Sequence, residues 1–93
     1  MAEYQAGCLV RSLAGHDKGE IFLIIKEEAE YVSLADGKLR TVEKPKRKKK
    51  KHVQISGIRA EGLAEKLMNG SIVRDEEIKH FLKCIAQGGK SNV

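Results

Sequence analysis

Tryptophan is absent, and the aromatic complement is Tyr4, Phe22, Tyr31 and Phe81. Any core must therefore be built mainly from aliphatic side chains. The one proline, Pro45, leaves the rest of the chain free to form regular structure. Cysteine is sparse: Cys8 and Cys84 lie near opposite ends, without a Cys-x-x-Cys pair and without a spacing that joins them to His16, His52 or His80 as metal ligands. Two buried, reduced thiols are expected, with no metal and no cofactor. No apolar run approaches the ~18 residues of a membrane span, and MAEYQ lacks the positive-then-apolar pattern of a secretory signal. These features predict a cytoplasmic protein with no membrane partner. Catalytic signatures are missing too: AGHDKG contains glycine but lacks phosphate-loop spacing, and the acidic residues gather in KEEAE and DEE, where solvent exposure is the default. Enzyme activity is not expected.

What remains is 93 residues, 41% apolar and 33% charged, enough for one domain with a modest core. Residues 1–56 read as short strands. CLVRSL, residues 8–13, is aliphatic and β-branched and stops at the turn-forming AGHDKG. IFLIIK, from Ile21, is apolar for five positions and fits a buried strand better than a single helical turn. In YVSLADGKLRTVE, Asp36-Gly37 separates two strand-forming runs, the composition of a two-residue hairpin turn. HVQIS then gives a last short strand. Five short, mostly antiparallel strands in about fifty residues suit a small SH3-like closed barrel better than a sandwich. The inward set is expected to be Leu9 or Val10, with Ile21, Leu23, Ile25, Val32, Leu34, Val42, Val53 and Ile55.

Residues 57–93 change period. Ile78, Phe81, Leu82 and Ile85 fall at i, i+3, i+4 and i+7, with Asp75, Glu76 and Glu77 at the helix start and Gly88 expected just past its close. AEGLAEKLMNG predicts a shorter helix before it, stopped at Asn69-Gly70. This C-terminal pair of short helices must lay its stripe on the barrel or on another protein, and the last residues, KSNV, are expected to fray.

The dominant feature is the run KPKRKKKK, which places Lys44, Lys46, Arg47, Lys48, Lys49, Lys50 and Lys51 in eight positions. Setting those seven aside leaves 11 basic against 13 acidic residues, a net of −2, whereas the whole chain carries +5. All of the positive excess sits in one segment, the footprint of a local contact with a polyanion. Like charges repel and lysine is rarely buried, so the run is expected to be an exposed loop anchored by strands on both sides. Four or five phosphate contacts from it would make log K fall with log salt at a slope of about −3 to −4. A solvated charge run, an anionic membrane surface and a nuclear import signal are the competing readings. The one good amphipathic helix starts acidic, which disfavours a membrane.

GCLVRSLAGHDKGEIFLI resembles the KOW motif, a strand-loop-strand signature of RNA-binding barrels, with Gly19 at its required glycine. Together with DGKLR and PKRKKKKH, residues 5–56 are similar to KOW-containing large-subunit ribosomal proteins of the fourteen-e type. The resemblance implies a mainly β, five-stranded SH3-like barrel that binds ribosomal or similarly structured RNA in translation or in association with the ribosome. Ser12, Gly15, Asp17, Lys18 and Gly19 match the motif loop, Asp36, Gly37, Lys38 and Arg40 the hairpin, and Pro45, Lys46 and His52 the basic loop. With the charge of the run, the residues expected to contact RNA are Arg11, Ser12, His16, Lys18, Lys38, Arg40, Lys44, Lys46, Arg47, Lys48, Lys49, Lys50, Lys51 and His52. His16 stands where these proteins usually carry arginine and would supply a stacking surface or one hydrogen bond instead of a fixed charge. The free protein is expected to be a monomer, with ribosomal proteins as possible neighbours. The alternative is an adaptor that binds a protein through Ile78, Phe81, Leu82 and Ile85, with the basic run adding only nonspecific attraction.

Overall fold

Residues 4–91 are described by a computed structural model, with side chains described to Gln87. Five antiparallel strands, β1 (Cys8–Ser12), β2 (Ile21–Glu27), β3 (Tyr31–Ala35), β4 (Lys46–Lys49) and β5 (Val53–Arg59), form one sheet in the order β4-β3-β2-β1-β5. Two helices follow, α1 (Glu61–Asn69) and α2 (Asp75–Ser91). None of the described helices is long and apolar enough to cross a membrane.

The apolar run of β2 is explained by burial on both sides. Ile21, Leu23 and Ile25 point to one face, where they join Leu9, Ala35, Val42 and the helices; Phe22 and Ile24 point to the other, with Val10, Val32, Leu34, Val53 and Ile55. A single inward set therefore divides between two cores, and Phe22 and Ile24, left out of that set, rank among the most buried side chains. The second core has no helix over it. Its cover is the sheet itself: Ser12 of β1 and Lys48 of β4 are hydrogen-bonded at 2.7 Å although β2 and β3 lie between their strands, which requires the sheet to roll. The roll stops short of closure. β4 passes into β5 through a 3-10 turn, Lys50–His52, with no ladder between them, so the sheet is open at that seam rather than a closed barrel.

The strand expected over KLRTVE does not form. Asp36 instead winds the chain into a tight knot, its Oδ1 accepting the backbone N–H groups of Lys38 (2.8 Å) and Arg40 (3.0 Å). An aspartate carboxylate that satisfies local donors competes with sheet pairing. The chain then drops toward α2, where the Val42 N–H donates to Asp75 Oδ1 at 2.7 Å. Strand pairing resumes only at Lys46–Lys49, whose register with β3 sets Lys48 opposite Val32 and Lys46 opposite Leu34. The lysine run is thus half strand, not loop. Pro45 sits immediately before it, where its missing N–H breaks no ladder bond. β5 is also longer than expected and runs three residues past Ser56 to Arg59.

The helices pack on the sheet. Ile78 and Leu82 are buried with Leu9 and Leu23, and Phe81 and Ile85 pack against them half-buried. The stripe offered for a partner is therefore largely used within the chain, where it covers that face of β2 together with Leu63 and Leu67 of α1. Helix α1 ends at Gly70 in the left-handed conformation, as Asn69-Gly70 predicts. Helix α2 starts without a Ser, Thr, Asp or Asn cap, and Glu77 compensates by accepting the Arg74 N–H at 3.0 Å, half of a capping box, and Val73 and Ile78 staple its first turn to the core. The helix runs through Gly88 to Ser91 rather than closing before it, since a mid-helix glycine costs only ~1 kcal/mol. Of the expected frayed end, Asn92 and Val93 lie outside the described residues, as do Met1 to Glu3.

Candidate nucleic-acid interface

Strand alternation sorts the basic run into two populations. Successive side chains of β4 point to opposite faces, so Lys46 and Lys48 face inward and Arg47 and Lys49 outward. The inward pair meets Asp17. The β1–β2 loop holds this carboxylate in place by bonds from Lys18 N–H to Gly15 O, from Gly19 N–H to Ser12 O and from Glu20 N–H to Asp17 O. Lys46 Nζ donates to Asp17 Oδ2 and Lys48 Nζ to Asp17 Oδ1, both at 2.7 Å. Lys48 also donates to Ser12 Oγ and Ala14 O at 2.7 Å, which satisfies all three ammonium protons of a side chain only 8% exposed. Burial opposes ionisation of Asp17, but the hydrogen bonds from Lys46, Lys48 and Ser12 outweigh it and hold the carboxyl well below the usual carboxylate range. Asp17 is an anion throughout the physiological range.

Ser12 and Lys48 are buried, and Lys46 is half-buried beside them. Their side chains tie the first loop to the edge strand, with one carboxylate serving both lysines. Glu77 is likewise held below its ordinary value by Lys66 Nζ at 2.7 Å and the Arg74 N–H.

The outward population meets the β2–β3 turn. Arg47 Nη2 and Nε both donate to Glu28 Oε1, at 2.9 and 3.1 Å, while its guanidinium lies 3.7 Å over the Tyr31 ring. Lys50 Nζ donates to Glu27 Oε2 at 2.6 Å and lies 5.3 Å from the Tyr4 ring, and its N–H donates to Glu30 O at 2.9 Å. Lys44, Lys49 and Lys51 are exposed and have no side-chain partner among the described residues. His16 and Lys18 are exposed beside Asp17, so the loop that Asp17 pins carries them at the same rim. Arg11 is exposed, with its guanidinium turned to Gly19 O, and His52 is half-buried with its carbonyl accepting the Leu13 N–H at 2.8 Å. Lys38 and Arg40 lie apart on the Asp36 knot against α2.

Three acidic residues organise this surface, yet Asp17 lies in the turn-forming AGHDKG and Glu27 and Glu28 in the acidic KEEAE, where no local pattern announces a partner; those partners lie far along the chain, 31 positions away for Lys48 and 19 for Arg47. Tyr31 becomes a platform for Arg47 because β4 pairs with β3 and sets Lys49 opposite Tyr31. Among the described residues no group of three or more metal-ligating side chains gathers. The cysteines are free, but Cys84 is exposed on α2, at 3.5 Å from His80 Nε2, rather than buried. The chain matches no protein-family model, and comparison with curated proteins finds no match.

Proposed function

We propose that this chain is an RNA-binding protein that docks on ribosomal or similarly structured RNA, its rolled sheet serving as an SH3-like barrel of the KOW type. The observation that carries the reading is the sorting of β4: two lysines are neutralised inside, and the outward side chains stand on a rigid strand beside a half-exposed tyrosine. Cations held on a strand lose less conformational entropy on binding than the same cations on a free loop. Lys49 on the strand supplies phosphate contacts together with Lys44 and Lys51, which flank β4, and Lys18 of the β1–β2 loop, and Tyr31 and Arg47 offer a stacked pair to a splayed base. Phosphate contacts of this kind position RNA without reading its sequence.

The decisive variant is Lys44→Gln/Lys49→Gln/Lys51→Gln. None of these side chains has a partner among the described residues, so the fold is expected to persist. Four free lysines predict a log–log salt slope of roughly −3 to −4 for the wild type against ribosomal RNA fragments, and the triple variant should flatten it by about 2 to 3. Failure of the folded wild type to bind such fragments even at low salt would sink the reading.

Glu27 and Glu28 act against RNA in this scheme, because they occupy Lys50 and Arg47 as internal substitutes for phosphate. Exposed ion pairs are worth about 0.5 kcal/mol each. Glu27→Gln/Glu28→Gln is accordingly expected to tighten RNA binding by about two- to fivefold, measured by fluorescence anisotropy in the same salt series. An unchanged affinity would mean that the turn does not compete.

A further inference from the structure

On the far side of the sheet, α2 does not lie flush against β1 and β2. An open groove of about 940 Å³ runs between them. Its floor is aliphatic: Leu9 and Leu82 are buried, Ile21 and Ile85 half-buried, and Ile58 of β5 stands 40% exposed at the wall. Its rim is cationic, with Arg11 on one side, Lys79 and Lys83 along α2, and Lys38 at the end.

We propose that this groove docks an acidic, amphipathic segment of a partner protein. The argument is charge complementarity over an apolar floor. Four lysines elsewhere in this chain, Lys46, Lys48, Lys50 and Lys66, each hold a carboxylate at 2.6 to 2.7 Å, while Lys44, Lys49 and Lys51 of the basic run hold none among the described residues. Lys38, Lys79 and Lys83 have no such partner among the described residues. Two carboxylates lie near them, yet Asp36 is committed to the backbone N–H groups of Lys38 and Arg40, and Glu20 stands alone at the rim. Lys79 and Lys83 are one helical turn apart, about 6 Å along the axis, which matches the spacing of glutamates at i and i+4 on a docked helix. Aliphatic side chains next to those glutamates would cover Ile21, Ile58 and Ile85. Nucleic acid fits poorly, because among the described residues no aromatic side chain lines the groove to stack a base. The surface is distinct from the outward face of β4, so it stands whether or not that face binds RNA.

The test uses the full chain and a synthetic helical peptide of about 15 residues, with glutamates at i and i+4 beside a leucine stripe, titrated by two-dimensional amide NMR. Saturable binding is expected with a dissociation constant below about 100 μM, with the largest shifts at Ile58, Lys79 and Lys83 and weakening as salt rises. Lys79→Glu/Lys83→Glu, two exposed positions, should weaken it at least tenfold, and Ile58→Ser should do so without altering charge. The β4 triple glutamine variant should bind the peptide as the wild type does. The proposal is overturned if the peptide does not saturate, or if binding survives both groove variants. It is equally overturned if the groove variants abolish capture of ribosomal RNA fragments instead, or if the groove shifts track protein concentration alone, which would make its occupant a second copy of the chain.

Discussion

Asp17→Ala is expected to lower the melting temperature by roughly 10 to 25 °C. Its carboxylate is 13% exposed and is the anion for Lys48, itself nearly inaccessible, and for Lys46. Removing one partner of a buried ion pair leaves the other charge desolvated and uncompensated, at a cost of about 3 to 5 kcal/mol when burial is complete. Partial access for Lys46, which is 26% exposed, brings the expectation down to ~2 to 4 kcal/mol. In a domain of this size each kilocalorie per mole moves the midpoint by about 4 to 8 °C. Lys48→Met in the Asp17→Ala background should recover part of the loss, because an apolar chain of similar length tolerates the site without a counter-charge. The same pair fixes the acid response. Asp17 titrates lower in the folded chain than in the unfolded one, so its stabilisation is fully present above the unfolded value of ~3.9 and disappears progressively as pH falls below it. Melts between about pH 2 and 5 should show that acid limb in the wild type and a shallower one in Asp17→Ala. Equal slopes would remove Asp17 from the account.

Gly37→Ala should be nearly as damaging for a different reason. The residue has φ +80°, and a Cβ there would overlap the Asp75 carbonyl oxygen and approach the Lys79 backbone nitrogen to 2.9 Å. Both contacts are helix backbone, which cannot rotate away. The start of α2 must move, and with it the bond from Val42 N–H to Asp75 and the burial of Ile78. The positive φ alone costs about 1 to 2 kcal/mol, and the displacement raises the expected total to ~3 to 5 kcal/mol. Gly19→Ala supplies the comparison. Its φ is +91° but nothing lies within 4 Å of the added carbon, so only the smaller backbone penalty applies. Denaturant melts of the two variants should differ by at least ~2 kcal/mol, with hydrogen exchange of α2 accelerated only in Gly37→Ala. Similar losses would mean that α2 is not braced on the knot.

Much of the scaffold could be read from the residues. The period of Ile78, Phe81, Leu82 and Ile85 gave the helix, and the unbroken IFLII gave a strand buried on both sides once two cores are allowed. The basic segment is less legible because repulsion between like charges adjacent in sequence suggests a loop. In a strand those neighbours point to opposite faces, so Arg47 never competes with Lys48 for space or counter-charge. The attraction that settles the strand comes from Asp17 and Ser12 across the roll, and no local pattern announces it. Asp36-Gly37 failed as a hairpin for a related reason: the aspartate served its own loop, and the glycine served a helix that begins 38 residues later.

The open seam beside β4 has a further consequence for behaviour at high concentration. An unpaired strand edge ordinarily templates fibrils and swapped assemblies. Here a copy pairing β4 to β4 would have to bring its own Arg47 and Lys49 against the same side chains, like sign on like sign. The charge that crowds this edge thereby disfavours symmetric pairing of one copy's β4 with another's.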